Sequence, residues 1–260
     1  MLKILQLSDL HIQSIQSDTL LGINTEYYFH KVLEQAFQRH PNIDLILITG
    51  DLAQDPCPAA YQRIQAHLVS YQTSTLCLPG NHDDYGLMQS ILNTALISCE
   101  KQKILSHWQV VCLNSQKTGS AKGYLSDSEL DFLRRSLQLN LPTLIALHHH
   151  PVATGSEWMD SMQVENSKAF WQLLTEFSQV KLVIHGHVHQ LLANVVNSVA
   201  VYSSPATCLQ FAPLASEFKV TTEAPGYRIY QLYPDGQFDS TSERISENLV
   251  GLDIAAHCYE

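Results

Sequence analysis

Leu76-Cys77-Leu78-Pro79-Gly80-Asn81-His82-Asp83 runs from a short apolar stretch straight into an amide, an imidazole and a carboxylate. Gly80-Asn81-His82-Asp83 arises on the order of 0.001 times by chance at this composition, so a plain polar turn explains it poorly. Asn81 offers a neutral oxygen ligand that adds no negative charge. His82 suits contact with a substrate phosphate or a leaving oxygen, and Asp83 suits a hydrogen bond that fixes the His82 tautomer.

Four motifs of the same kind stand around it in order: Asp9-x-His11, Gly50-Asp51, His148-His149-His150-Pro151 and Gly186-His187-x-His189. Asp9 and His11 are two apart, which in an extended segment sends both side chains to one side. Gly50 permits a tight turn, and the two oxygens of Asp51 can bridge ions about 3.5–4 Å apart. Neighbours on a strand face opposite ways, so His148 and His149 are not expected on one ion. His148 is the candidate; His149 and His150 stay open between supporting a ligand and being polar neighbours. His187 and His189 can each reach a different ion, and His185 reads as structural. Singly, Asp9-x-His11 and Gly50-Asp51 are no more than polar strand ends. As an ordered set, these donors suit two hard-to-borderline divalent cations, and paired cations perform phosphoryl chemistry. His30, His40, His67, His107 and His257 lack a spacing partner and read as surface or helix residues.

The apolar runs Ile4–Leu7, Leu45–Ile48, Leu76–Leu78, Val110–Leu113, Leu144–Leu147 and Leu182–Ile184 read as buried strands. Amphipathic stretches at about 26–39, 57–72, 127–139 and 165–178 read as helices, the third opened by a Ser126/Glu129 capping box. Alternation of the two predicts a layered α/β fold. Beyond residue 190 the pattern turns to strands, at Leu191–Val196, Val199–Ser203 and Tyr227–Tyr233, with Pro234-Asp235-Gly236 as a turn. No linker or repeat divides residues 1–260, which predicts one domain; the tail from about 240 carries little signal. Every motif follows a strand, and ligands of open α/β sheets bind at such carboxyl ends.

The net charge is −10, from 15 Lys+Arg against 25 Asp+Glu, which disfavours a nucleic-acid polymer as partner. Cys57, Cys77, Cys99, Cys112, Cys208 and Cys258 are scattered, as for incidental thiols in a reducing compartment and not a disulfide framework or thiolate zinc site. No apolar run approaches the ~18 residues of a membrane span. The first strand leads directly to Asp9, leaving no room for a leader, and the expectation is a cytoplasmic protein with no membrane partner.

In this order the motifs resemble the calcineurin-like metallophosphoesterases over nearly the whole chain. Within that family the chain is most similar to the bacterial class III cyclic-AMP phosphodiesterases. That similarity rests on Leu20-Leu21-Gly22-Ile23-Asn24-Thr25, Gly50-Asp51-Leu52-Ala53-Gln54-Asp55, the triple histidine with Pro151, Trp158-Met159-Asp160, Pro205-Ala206-Thr207-Cys208-x-Gln210-Phe211 and Ala224-Pro225-Gly226-Tyr227-Arg228. The resemblance implies a four-layer αββα sandwich, with two facing mixed sheets flanked by helices, around two divalent metal ions. Iron and manganese are the expected metals, with zinc and cobalt as alternatives. It implies Asp9, His11, Asp51 and His189 around one ion and Asp51, Asn81, His148 and His187 around the other. Purple acid phosphatases carry a tyrosine ligand where this chain has Gln54, so a ferric-tyrosinate site is not expected.

The implied reaction is hydrolysis of 3′,5′-cyclic AMP to 5′-AMP. A hydroxide between the metals would attack phosphorus in line with the 3′ oxygen, with His82 as acid supported by Asp83. His11, Asp51, Asn81, His82, His148 and His189 are the residues expected to meet substrate. Rival readings are a metallophosphoesterase for 2′,3′-cyclic nucleotides, phosphomonoesters or phospholipid head groups, then a nuclease, then a non-catalytic scaffold. Filled ligand positions oppose the last.

Overall fold

A computed structural model describes residues 1–258. In chain order its elements are β1 (Leu2–Leu7), α1 (Thr25–Arg39), β2 (Leu45–Thr49), α2 (Pro58–Val69), β3 (Thr75–Leu78), α3 (Tyr85–Leu92), β4 (Ile97–Ser98), β5 (Gln102–Leu105), β6 (Trp108–Cys112), α4 (Asp127–Leu137), β7 (Thr143–Ala146), α5 (Glu157–Asp160), α6 (Ser167–Leu174), β8 (Val180–His185), β9 (Ala193–Val196), β10 (Val199–Ser203), β11 (Gln210–Phe211), β12 (Val220–Thr221), β13 (Gly226–Leu232) and β14 (Phe238–Arg244).

Two mixed sheets form, ordered β14-β13-β1-β2-β3-β4 and β5-β6-β7-β8-β10-β9, with β11 and β12 as a separate ribbon. β1, β2 and β3 run parallel, as do β6, β7, β8 and β10, while β13 and β14 add antiparallel. The strands explain the layers. Ile4, Leu45, Leu47 and Leu76 point from the first sheet into an apolar layer shared with Val110, Leu144, Leu182 and Ile184 of the second. Their neighbours Leu5, Leu7, Ile46 and Ile48 point the other way, onto Phe29, Val32, Leu33 and Ile64 of α1 and α2. Val111, Ile145 and Val183 likewise meet Leu133, Leu137 and Phe170 of α4 and α6. Strands buried on both faces read as continuous apolar runs for this reason. The result is the expected helix–sheet–sheet–helix stack.

Gln6 is a polar side chain in the layer between the sheets. Gln6 is fully buried; its amide donates to Thr49 Oγ1 and to the His185 carbonyl, both at 3.0 Å, and its oxygen accepts from the Tyr230 hydroxyl at 2.7 Å. It ties the first sheet to the second directly behind the strand ends.

One local expectation is corrected, and two features are added. Ser126 does cap α4, accepting from Glu129 N, but the Glu129 carboxylate turns to Lys101 and Asn114 N instead of closing the box. In the tail from about 240, β14 continues to Arg244, and the Val250 and Asp253 amides bond to Tyr28 Oη and Leu21 O. The Gly80-Asn81-His82-Asp83 turn leads into a helix that periodicity had not announced, α3, capped by Asp84 accepting from Leu87 N at 2.9 Å. Among the described residues no helix is long and apolar enough to cross a membrane.

Candidate metal centre

β1, β2, β3, β7 and β8 each end one or two residues before a motif, so five loops meet along the facing edges of both sheets. The first two loops are laced together by Asp9 N to Gly50 O and His11 N to Asp51 O, both 3.0 Å. His187 N, from the second sheet, donates to Asp9 Oδ1 at 3.0 Å and closes the ring.

The backbone reaches this arrangement through conformations that L residues rarely adopt. φ is +57° at Asp9, +47° at His11, +51° at Asp51, +68° at His187 and +46° at His189. Asp9 and His11 therefore do not converge because they lie on an extended segment; β1 has ended, and two left-handed residues turn both side chains inward. Such positions cost of order 1–3 kcal/mol each and cluster at functional sites. The motif glycines have equally concrete reasons. A Cβ on Gly50 (φ +94°) would overlap the His148 imidazole, and one on Gly80 would overlap the Asp51 carboxylate.

Asp9, His11, Asp51, Asn81, His148, His187 and His189 are brought into one cluster. His148 Nε2 lies 3.1 Å from Asp51 Oδ2, 3.2 Å from Asn81 Oδ1 and 3.3 Å from His187 Nδ1. His11 Nε2 lies 3.6 Å from Asp51 Oδ2, and His189 Nε2 lies 3.6 Å from Asp9 Oδ1. Asp51 touches both His148 and His11. Donor atoms of Asp9, Asp51 and His148, of His11, Asp51 and His82, and of His148, His149 and His187 are close enough to surround an ion. That last group corrects an expectation: β7 stops at Ala146, strand alternation lapses, and His148 and His149 turn toward the same point.

Oxygens and ring nitrogens this crowded repel unless a positive centre, a proton or a metal ion, sits among them. Asp9 Oδ2, His149 Nε2 and His187 Nε2 are buried and lack a hydrogen-bond partner, as expected where an ion completes the site. The protonation states agree. Burial lowers the pKa of His11, His149, His187 and His189, keeping them as the neutral imidazoles that ligate metals. Burial also pulls on His148, but the charge and hydrogen bond of Asp51, with the charge of Asp9, outweigh it and lift the pKa to about 9. Asp51, despite burial, is held well below its usual range by His148 and His82.

Three of the candidate ligand imidazoles are fixed from behind. Nδ1–H of His148 donates to Thr49 O at 2.8 Å, that of His189 to Leu209 O at 2.9 Å, and that of His11 to Gln54 Oε1 at 2.8 Å. The Nε2 atoms are thereby left facing the cluster. His82 Nδ1–H donates to the Gln54 carbonyl at 3.0 Å. Gln54 thus orients two histidines, a role its sequence context does not signal beyond the missing tyrosine.

Asp83 departs from expectation. Its carboxylate does not hold His82; it accepts from Gly80 N (2.9 Å), Leu52 N (3.1 Å), Ala53 N (3.2 Å) and Tyr61 Oη (3.0 Å). Asp83 locks the loop of Asp51 to the loop of Asn81. Burial first, and then the Asp51 charge, raise its pKa to about 6 against the pull of the three amides. His185 is buried behind the site with Nδ1 on Gly186 O, and His150 lies stacked against His187. His257 is exposed, as expected, and lines the mouth of the cavity beside Cys258. That cavity, about 440 Å³, is bounded on its far side by Trp158, Met162, Phe211 and Phe218.

A four-layer sandwich with carboxylates, imidazoles and one amide gathered at the strand ends of both sheets defines a class of phosphate-ester hydrolases. The chain belongs to the calcineurin-like phosphoesterase family, which its residues 2–191 match, and this family implies divalent metal ions at the His/Asp clusters. It is 38% identical over 250 residues to a 3′,5′-cyclic-nucleotide phosphodiesterase of Nostoc, covering 95% of this chain and 94% of that one. It is 36% identical to the 3′,5′-cyclic adenosine monophosphate phosphodiesterase CpdA of Vibrio vulnificus (99% and 95% covered) and 37% identical to that of Escherichia coli K12 (99% and 94%). A dimetal phosphatase from Danio rerio shares the fold with a TM-score of 0.67 at 14% identity, covering 97% of this chain and 99% of that one.

Proposed function

We propose that this protein is a dinuclear-metal phosphodiesterase that hydrolyses 3′,5′-cyclic AMP to 5′-AMP. The observation that carries the reading is the clustering of Asp9, His11, Asp51, Asn81, His148, His187 and His189, of which Asp51, Asn81, His187 and His189 line one cavity. End-to-end similarity to the CpdA proteins supports the choice of substrate. In this reading the whole chain is one domain. Asp9, His11, Asp51 and His189 hold one ion and Asp51, Asn81, His148 and His187 the other. Iron or manganese suits this oxygen and imidazole set, and zinc or cobalt is compatible with it. Bound there, the ions lower the pKa of the attacking water and take up charge on the phosphoryl oxygens.

The remaining steps belong to the chain. His11, Asp51, Asn81, His82, His148 and His189 form the floor on which the phosphate rests. His82 has Nδ1 committed to Gln54 O, so Nε2 is the atom that delivers a proton to the departing 3′ oxygen. Asp83 keeps the Asp51 and Asn81 loops in register through its amide contacts. A net charge of −10 fits a small substrate drawn in by bound cations, not a polyanion. The test is incubation of metal-reconstituted protein with cyclic AMP, 2′,3′-cyclic AMP, glycerophosphodiesters and phosphomonoesters, with chromatographic identification of products. Clean 5′-AMP is expected. Turnover of phosphomonoesters or phospholipid head groups with cyclic AMP untouched overturns the reading.

A further inference from the structure

The far side of the cavity is chemically unlike its floor. Trp158 meets Phe211 edge-on at 5.1 Å and Phe218 at 5.5 Å between ring centroids, and Phe211 stacks on His189 at 4.2 Å with an interplanar angle of 23°. An aromatic wall therefore begins one ring away from a candidate metal ligand. Trp158 Nε1–H is buried and has no hydrogen-bond partner. A buried donor left unpaired costs about 1–3 kcal/mol, which a ligand acceptor would relieve. The neighbouring Asp160 is occupied otherwise: its carboxylate accepts from the Thr154 and Gly155 amides and the Thr154 hydroxyl, which pins the loop that presents Trp158.

We propose that the aromatic wall of Trp158, Phe211 and Phe218 is the nucleobase subsite, with the Trp158 indole N–H donating to an acceptor on the base. The inference rests on the cyclic-nucleotide reading above and adds the residues that tell a nucleotide from a bare cyclic phosphate. A volume of about 440 Å³ falls within the range of small-ligand sites. The phosphate rests on the charged floor while the base, one ribose away, lies against the aromatic wall. Because every base has a π face, stacking here favours nucleotides broadly; the single donor adds a preference for bases that offer it an acceptor.

The experiment compares cyclic AMP with a base-free ribose 3′,5′-cyclic phosphate, using metal-loaded full-length protein and its Trp158→Ala and Trp158→Phe variants. Stacking on an aromatic side chain is worth about 1–3 kcal/mol per base, or roughly 5- to 150-fold. Trp158→Ala should lower the ratio of kcat/KM for cyclic AMP over the base-free compound by that factor, with the change carried by KM. Trp158→Phe, which keeps a ring and removes the donor, should lose roughly 5-fold. If Trp158→Ala does not fold, Trp158→Phe alone decides. Equal effects on both compounds, or an unchanged ratio in a parent that hydrolyses cyclic AMP, overturn the subsite while leaving the phosphodiesterase reading intact. A parent that turns over other phosphate esters and ignores cyclic AMP overturns that reading, and the subsite with it.

Discussion

Replacing Asp83 by alanine separates two accounts of a residue that sits two positions from Asn81. Its carboxylate accepts from three backbone amides, Gly80, Leu52 and Ala53, and from the Tyr61 hydroxyl, and it is 5% exposed. Alanine leaves all four donors without an acceptor. If water entering the hole satisfies half of them, two orphaned donors at about 1–3 kcal/mol each still cost roughly 2–6 kcal/mol. For a chain of this size that is a fall in Tm of about 4–24 °C. The loops of Asp51 and Asn81 lose their shared anchor, so metal occupancy should fall as well. The assay is a thermal melt beside elemental analysis of the reconstituted variant, followed by the pH dependence of kcat. An unchanged Tm with full metal content, and a loss confined to the limb of the pH profile where His82 must be protonated, would show that Asp83 acts through the His82 imidazole and refute the loop-anchor argument.

Four further outcomes follow from the same geometry. If His82 serves as the acid and not as a ligand, His82→Ala should slow turnover by about 10²–10⁴ with metal content intact; loss of metal in this variant contradicts the role and favours its grouping with His11 and Asp51. Gln54→Leu removes the acceptor for His11 Nδ1, and metal affinity measured by titration should weaken about 10- to 100-fold, with no change expected if His11 needs no such partner. Gln6→Leu orphans the Tyr230 hydroxyl and the His185 carbonyl between the sheets, so urea unfolding should show a loss of roughly 2–6 kcal/mol; a loss under about 1 kcal/mol would mean the sheets do not rely on this contact. Chelation should lower Tm by about 5–10 °C for each ion lost from a site holding it at 100 times Kd, and an identical melt with and without chelator would argue against a metal centre.

The strands around the centre were legible because a strand buried on both faces leaves an unbroken apolar run, as Leu45–Thr49 and Thr143–Ala146 do. Helix α3 was not, because its eight residues follow the Asp83-Asp84 turn directly and bury only Met88 and Leu92. β14 was equally hidden: it alternates half-buried and exposed residues such as Asp239 and Thr241, and it exists as a strand only because β13 lies beside it.

The sequence by itself determined which donor atoms are present and that each follows a strand, since ligand chemistry and hydrophobic periodicity are local properties of residue type. Only the tertiary structure decided how those donors are aimed. Left-handed φ values at Asp9, His11, Asp51, His187 and His189 are imposed by loops laced across two sheets, and residue type does not announce them. The tautomers of His148, His189 and His82 are set by the carbonyls of Thr49, Leu209 and Gln54, groups that every residue carries and that only folding brings to the right place. The exchange of partners at Asp83 and the meeting of Trp158 with Phe211 and Phe218 have the same origin. They join segments far apart in the chain, where no spacing rule reaches.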